Sequence, residues 1–275
     1  MGLESFMTSG EQRITDEFLE NGFIIRKCES YENLRGFRDF FVHKGSAWLE
    51  ANGGFGALDE LHNSHLRVPP ERLNDFRLHL FAELNAENAT RRQYFALAST
   101  LVQIIVGNEL AMQNKINLSI QQPGDQTSVL ELHSDVWTGD SPFQVVLWVP
   151  LTDSTTTNAM FLLPPGASRE AYQRVRNSEL TSMAEIQREY RSLFLTLEIN
   201  FGDVLIFDSN CLHGNQLNTT PHSRWSLNCR LTSLLAPSIN PDRRLGSFYT
   251  PILVRPATRM GLIAMAALGI DDSWV

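Results

Sequence analysis

The sequence is poor in cysteine, has no run of basic residues, and has no long apolar stretch. Its three cysteines, Cys28, Cys211 and Cys229, are widely spaced and odd in number. No CxxC or other zinc-type spacing exists, so they read as reduced thiols in a reducing compartment. A spanning helix needs roughly 20 apolar residues. The longest apolar run near the end, Gly261 to Ile270, is too short. The opening MGLESFMTSGEQR has no basic segment followed by an apolar one, which argues against a secretory leader. Phe6 stands where a myristoylation signal would want Ser or Thr. The net charge of -8 argues against non-specific binding to nucleic acid or an anionic membrane, since both need clustered Lys and Arg. The expected setting is cytoplasmic, and the expected partner is a small molecule.

What is present fits a globular chain. Of its 275 residues, 43% are hydrophobic and 20% charged, enough to bury a substantial core. No internal repeat or long linker breaks it. One domain is expected over 1–275, with mostly helical support over 1–112, a β core over 113–235 and a C-terminal extension over 236–275. Ile14, Phe18 and Leu19 have helical spacing that stops at Gly22. FIIRK (23–27) reads as a strand, and Asn33 to Leu49 as a helix ended by Gly53, Gly54 and Gly56. Pro69 and Pro70 open a helix carrying Leu73, Phe76, Leu80 and Leu84; Arg91 to Glu109 reads as one more. These helices show no obvious chemical residues and are expected to brace a sheet.

From residue 113 the period changes to two. Ile116, Leu118 and Ile120 alternate with Lys115, Asn117, Ser119 and Gln121, as in a strand with a core on one face and a polar cavity on the other. FQVVLWVPL (143–151) and AMFLLPP (159–165) read as buried strands, Ser168 to Leu193 as helical, and LEINFGDVLIFD (197–208) as two strands around Gly202-Asp203. SRWSLNCRLTSL (223–234) places Arg224, Ser226, Asn228 and Arg230 on one face. Several short strands at such spacing suggest a sandwich or barrel.

The sharpest local feature is His133-Ser134-Asp135. In an extended segment residues two apart point to one side, so His133 and Asp135 can converge on a metal. His213, after the apolar VLIF, supplies a second imidazole. Two imidazoles and one carboxylate on one face of an iron leave positions open for an oxoacid and dioxygen. An HxD triplet alone carries little information; its force comes from order. A strand, a Pro-Gly turn, a helix, GDVLIF and the His follow in turn, and then Arg224, whose planar guanidinium matches a carboxylate. Ser226 can add a hydroxyl from the same face. His62 and His65, in DELHNSHLR, are expected on a solvated surface.

HSDVWTGDSPFQVVLWVPL, LLPPG, GDVLIFDSNCLHGN and SRWSLNCR together resemble the 2-oxoglutarate/iron(II) oxygenases, most of all their phytanoyl-CoA-dioxygenase-like branch. The first stretch is also similar to bacterial members found among sporadic carbohydrate-biosynthesis genes. The resemblance implies a mainly β fold with α, a double-stranded β-helix (cupin-like jelly roll) braced by the N-terminal helices. It implies Fe(II), 2-oxoglutarate and dioxygen, with ascorbate in support. His133, Asp135 and His213 match the iron ligands, and Arg224 matches the residue that binds the distal carboxylate of 2-oxoglutarate. Trp148 matches an aromatic position beside that cosubstrate, and Asn117 and Lys115 lie where relatives place a polar contact. One departure is visible: the usual Pro-Gly-Ser-His turn reads Pro165-Gly166-Ala167-Ser168.

The implied activity is hydroxylation, and Asp135 as a ligand disfavours halogenation. A polar set of Lys115, Asn117, Ser119, Gln121, Trp137 and Arg230 is expected to face the substrate, a sugar or nucleotide-sugar derivative. The rival readings are a non-catalytic cupin-like binding or sensing protein, and a metal-dependent oxygenase or isomerase that does not use 2-oxoglutarate.

Overall fold

The computed structural model describes residues 6–53, 57–237 and 240–269. Gly54 and Gly56, expected to break a helix, lie outside these residues, as do Ile270 and the first five positions. The helices are α1 (Ser9–Asn21), α2 (Tyr31–Ala51), α3 (Pro70–Ala86), α4 (Thr90–Phe95), α5 (Ser99–Ile105), α6 (Pro165–Arg176), α7 (Met183–Glu189) and α8 (Pro256–Leu268). The strands are β1 (Phe23–Lys27), β2 (Leu110–Gln113), β3 (Asn117–Gln121), β4 (Gln144–Pro150), β5 (Met160–Leu162), β6 (Leu195–Leu197), β7 (Asp203–Asp208), β8 (His213–Asn215), β9 (Arg224–Ser233) and β10 (Tyr249–Leu253).

Two antiparallel sheets form the jelly roll. The larger runs β1-β7-β4-β9-β2-β10, with β3 also paired to β9; the smaller runs β6-β5-β8. The sequence alternation sets the faces. On β9, Trp225, Leu227, Cys229 and Leu231 enter the main core, together with Val145, Leu147 and Val149 of β4. Arg224, Asn228 and Arg230 of β9, with Val146 and Trp148 of β4, turn to a cavity on the other side.

The helices brace the core face, as their periodicity requires. α2 buries Leu34, Phe37, Phe41, Gly45 and Leu49, and α3 buries Leu73, Phe76, Leu80 and Leu84. Gly45 lets other groups close in: a Cβ there would stand 2.8 Å from Leu58 Cδ2 and 3.2 Å from Phe76 Cζ. Trp225 is fully buried against Phe41 and Phe76, and its indole N–H donates to Ser64 Oγ at 2.9 Å. A buried indole with its one donor satisfied gives area without a polar penalty. No helix among the described residues is long and apolar enough to cross a membrane.

Two expectations of secondary structure need correction. The single helix over 91–109 is two short ones, and its last residues, 106–109, form a turn that leads into β2. Glu29 explains the break: its carboxylate accepts from the N–H groups of Thr100 and Leu101 at 3.0 and 3.1 Å, capping the start of α5. The second concerns Asp135, which does not continue an extended segment. It starts a 3-10 turn, Asp135–Thr138, closed by Gly139 at φ 95°.

Candidate metal centre

His133 and His213 come together through their backbones, in an isolated antiparallel bridge outside the long strands. Their ring centroids lie 4.3 Å apart. Asp135 is buried beneath them, with Oδ1 3.8 Å from His133 Nε2. That is too long for a hydrogen bond. One ligand atom from each of the three residues lies within 4.8 Å of the other two, and they form the sole such group of three among the described residues.

The tautomers suit a metal. His133 Nδ1 lies 2.8 Å from Glu131 O, and His213 Nδ1 lies 2.9 Å from Cys211 O. A carbonyl oxygen only accepts, so each Nδ1 carries the proton and each Nε2 keeps a free lone pair. Burial lowers the His213 pKa to about 4, which keeps that imidazole neutral near pH 7. Two free imidazole nitrogens and a carboxylate on one side of a gap fit a divalent iron.

A cavity of about 400 Å³ opens over these three residues, within the range of small-molecule sites. Arg224 lines its depth and is buried. Its contacts are weak: Nη1 to Ser226 Oγ at 3.5 Å, Nη2 to Ser119 Oγ at 3.4 Å, and the Trp148 ring centroid at 5.8 Å. Nε has no partner, and no carboxylate among the described residues pairs with the guanidinium. Burial pushes its pKa down to about 10, so it is still charged at neutral pH. A buried cation without a counter-charge is costly unless an anion arrives from outside.

Arg230 differs. Its Nη2 lies 2.9 Å from Asp135 Oδ1 and its Nε donates to Asp135 Oδ2 at 3.1 Å, a two-pronged pair.

Much of the expected polar wall is elsewhere. Ser119, Trp148 and Arg230 line the cavity, but Lys115, Asn117, Gln121 and Trp137 do not. Lys115 is exposed, just before β3 begins. Asn117 donates across the sheet to Asn228 Oδ1, and Gln121 donates to Gln216 O. Trp137 is 42% exposed because the 3-10 turn after Asp135 carries it onto Tyr172. The mouth is walled instead by Asn74 and Arg77 of α3 and by Asp125, Thr127 and Ser128, none singled out from sequence. Pro70, Leu73, Asn74 and Arg77 fall on one helical face, which overlaps the core stripe and so gave no separate pattern. His62 and His65 hold no metal geometry: His62 pairs with Glu60 at 2.9 Å, and His65 bonds Ser223.

The sequence pattern of phytanoyl-CoA dioxygenase (PhyH) matches residues 41–226. The chain belongs to the phytanoyl-CoA dioxygenase family. Fe(II) and 2-oxoglutarate are that family's cofactor and cosubstrate, which makes the chain an oxidoreductase of the non-haem iron dioxygenase type. No curated protein sequence matches it. Among solved structures it is similar to the non-heme monooxygenase ThoJ in its nickel complex (14% identity, TM-score 0.54, 92% of this chain and 96% of that one). It is similar to SnoN, a non-heme alpha-ketoglutarate-dependent epimerase from nogalamycin biosynthesis (13% identity, TM-score 0.52, 91% and 97%). EctD from S. alaskensis with 2-oxoglutarate and 5-hydroxyectoine is another (16% identity, TM-score 0.52, 88% and 81%). At these identities the likeness is one of fold, and it extends over 88–92% of this chain.

Proposed function

We propose that this dioxygenase hydroxylates a small polar molecule, with iron held by His133, Asp135 and His213 and the distal carboxylate of 2-oxoglutarate held by Arg224. The observation that carries this reading is Arg224, a buried, unpaired guanidinium in the same cavity as two imidazoles with free Nε2 atoms. With Fe(II) and 2-oxoglutarate bound, dioxygen would be the oxidant, one oxygen atom going to an unactivated C–H bond of the substrate and the other to succinate, with carbon dioxide released.

The chain's own residues bind, orient and exclude water. Arg224 offers a charge-assisted fork to a carboxylate, and the weak bonds to Ser119 and Ser226 are easily exchanged for it. Trp148 flanks that guanidinium, while Val146, Met160 and Phe207 form the apolar wall beside the triad. A dry wall strengthens every charged contact inside it. The backbone bonds at both Nδ1 atoms hold the imidazoles in the ligating tautomer.

The mouth supports a small, polar substrate. Asn74, Arg77, Asp125, Thr127 and Ser128 offer donors and acceptors, beside Leu73 and Leu130. A cavity of about 400 Å³ that also takes 2-oxoglutarate leaves little room for a long acyl chain. A hydroxylated metabolite, such as a sugar derivative, can pair with these groups, and the acidic chain suits a cytoplasmic metabolic enzyme. The test is succinate release with Fe(II) and 2-oxoglutarate across a panel of free sugars, nucleotide sugars, amino acids and acyl-CoA thioesters. Stimulation by a sugar class is expected. Stimulation by acyl-CoA alone overturns the substrate reading, and an Arg224→Ala variant with unchanged 2-oxoglutarate dependence overturns the cosubstrate site.

A further inference from the structure

A chain of alternating charge runs from the triad toward the surface. Arg230 holds both oxygens of Asp135, at 2.9 and 3.1 Å. Asp140, buried at 2% exposure, places Oδ2 3.1 Å from Arg230 Nε, the same atom that donates to Asp135, in an ion-pair contact rather than a hydrogen bond. Asp140 Oδ1 in turn lies 3.4 Å from Nε of Arg243, whose side chain is 31% exposed. Arg230 is further fixed from β2, where Gln113 Oε1 accepts from its backbone N–H at 3.2 Å. The four charged residues come from four places: the turn after His133, its continuation past Gly139, β9, and the 3-10 turn Pro241–Arg243 that follows β9.

Their charges cancel, with two carboxylates against two guanidiniums, and the order matters. Left alone, Arg230 would hold a positive charge beside Asp135 and compete for it with any metal. Asp140 meets the same Nε that faces Asp135 Oδ2, so part of that charge is met by a second carboxylate. Arg230 then acts less as a rival cation and more as a planar clamp. Burial raises the Asp140 pKa above the usual carboxylate value, and the nearby Arg230 and Arg243 charges oppose that rise. A carboxylate on a short turn has free χ angles, and a two-pronged guanidinium removes that freedom before a metal arrives.

We propose that Arg230, held in place by Asp140 and Arg243, is the positioning residue that sets the Asp135 carboxylate for metal binding. The segment after β9 thereby tunes the metal centre without touching it. This rests on the reading of His133, Asp135 and His213 as the metal ligands.

The experiment is a titration of Co(II) alone into the full-length protein, followed by its d–d absorption, with the thermal unfolding midpoint of each metal-free variant measured beside it. Arg230→Lys keeps the charge but loses the planar fork. It is expected to weaken Co(II) binding by about 10- to 100-fold, the range seen when groups that orient metal ligands are changed. It should also change the d–d band shape, which a role confined to stability would leave as in wild type. Asp140→Asn should weaken binding less, and Arg243→Ala less again, with unfolding midpoints close to wild type. These two milder variants carry the test if Arg230→Lys does not fold. Wild-type affinity and spectrum in Arg230→Lys or, where that variant does not fold, in both Asp140→Asn and Arg243→Ala, or tighter binding in any of them, overturns the proposal. A His213→Ala control separates the two layers. If it loses Co(II) while the other variants do not, the clamp fails and the triad stands. If it binds as wild type, the triad itself fails and the clamp falls with it.

Discussion

His133 and His213 are tied to each other backbone to backbone: the His133 N–H donates to His213 O at 3.0 Å, and the His213 N–H to His133 O at 2.9 Å. The spacing of the two imidazoles is therefore a property of main-chain pairing and not of side-chain packing. Gly214 sits at this junction. A Cβ there would stand 2.8 Å from Leu130 O and 3.2 Å from Glu131 O, both backbone atoms of the segment leading to His133. Gly214→Ala should push that segment away and part the bridge. The expected result is a loss of Fe(II) affinity of roughly tenfold or more, comparable in sign to His213→Ala, measured by anaerobic titration. Unchanged affinity would show that the bridge does not set the ligand spacing.

Arg224 is buried with no counter-charge, so its removal should have opposite effects with and without cosubstrate. Arg224→Met should raise the unfolding temperature of the protein free of 2-oxoglutarate, because a buried unpaired cation is destabilising. The same variant should lose the stabilisation that added 2-oxoglutarate gives the wild type, and its apparent KM for 2-oxoglutarate should rise by the equivalent of about 2–5 kcal/mol. Thermal melts with and without 2-oxoglutarate, followed by succinate assays, check both.

The metal-free protein should weaken in mild acid. Burial holds His213 at about 4 in the folded chain, against 6.5 when exposed. The unfolded state then binds the extra proton first, so stability is full above pH 6.5 and falls as pH drops toward 4. The loss from this one residue is on the order of 3 kcal/mol. Denaturant melts of wild type and His213→Asn between pH 7.5 and 4.5 would test it. A wild-type slope no steeper than that of the variant contradicts the assignment.

Tyr94 offers a test of the scaffold apart from the site. Its hydroxyl, buried in the main core, donates to Leu147 O of β4 at 2.8 Å, fastening α4 to the central strands. Tyr94→Phe should cost about 1–2 kcal/mol in urea melts while leaving metal affinity unchanged.

β9 was legible because it has a long, clean alternation, and β4 and β7 were legible as continuous apolar runs. Trp225, Leu227 and Cys229 against Arg224, Asn228 and Arg230 could be divided by period alone, and the structure divides them the same way. β3 was legible in type but not in role. The alternation separated Ser119 from Leu118, yet it could not say that Asn117 and Gln121 spend their amides on Asn228 and Gln216. Those partners lie about a hundred residues away. Trp137 was misplaced because an extended reading was carried past Asp135, where the chain turns. Asp140 gave no pattern at all, since its meaning depends on Arg230 and Arg243 meeting it in space. The break between α4 and α5 was hidden for a similar reason: its cap is Glu29, some seventy residues earlier.

α3 has a consequence for how such an enzyme can change. One face of this helix packs Phe76 and Leu80 into the core, while Asn74 and Arg77 on the adjoining face look into the cavity mouth. The triad and Arg224 come from other parts of the chain. Exchanges at 74 and 77 can therefore alter which molecule is admitted while the reaction machinery stays as it is. Exchanges on β9 have no such freedom, because a one-residue slip there would withdraw Arg224 from the cavity and drag Trp225 out of the core together. Selectivity is open to drift in this architecture, and chemistry is locked to the fold.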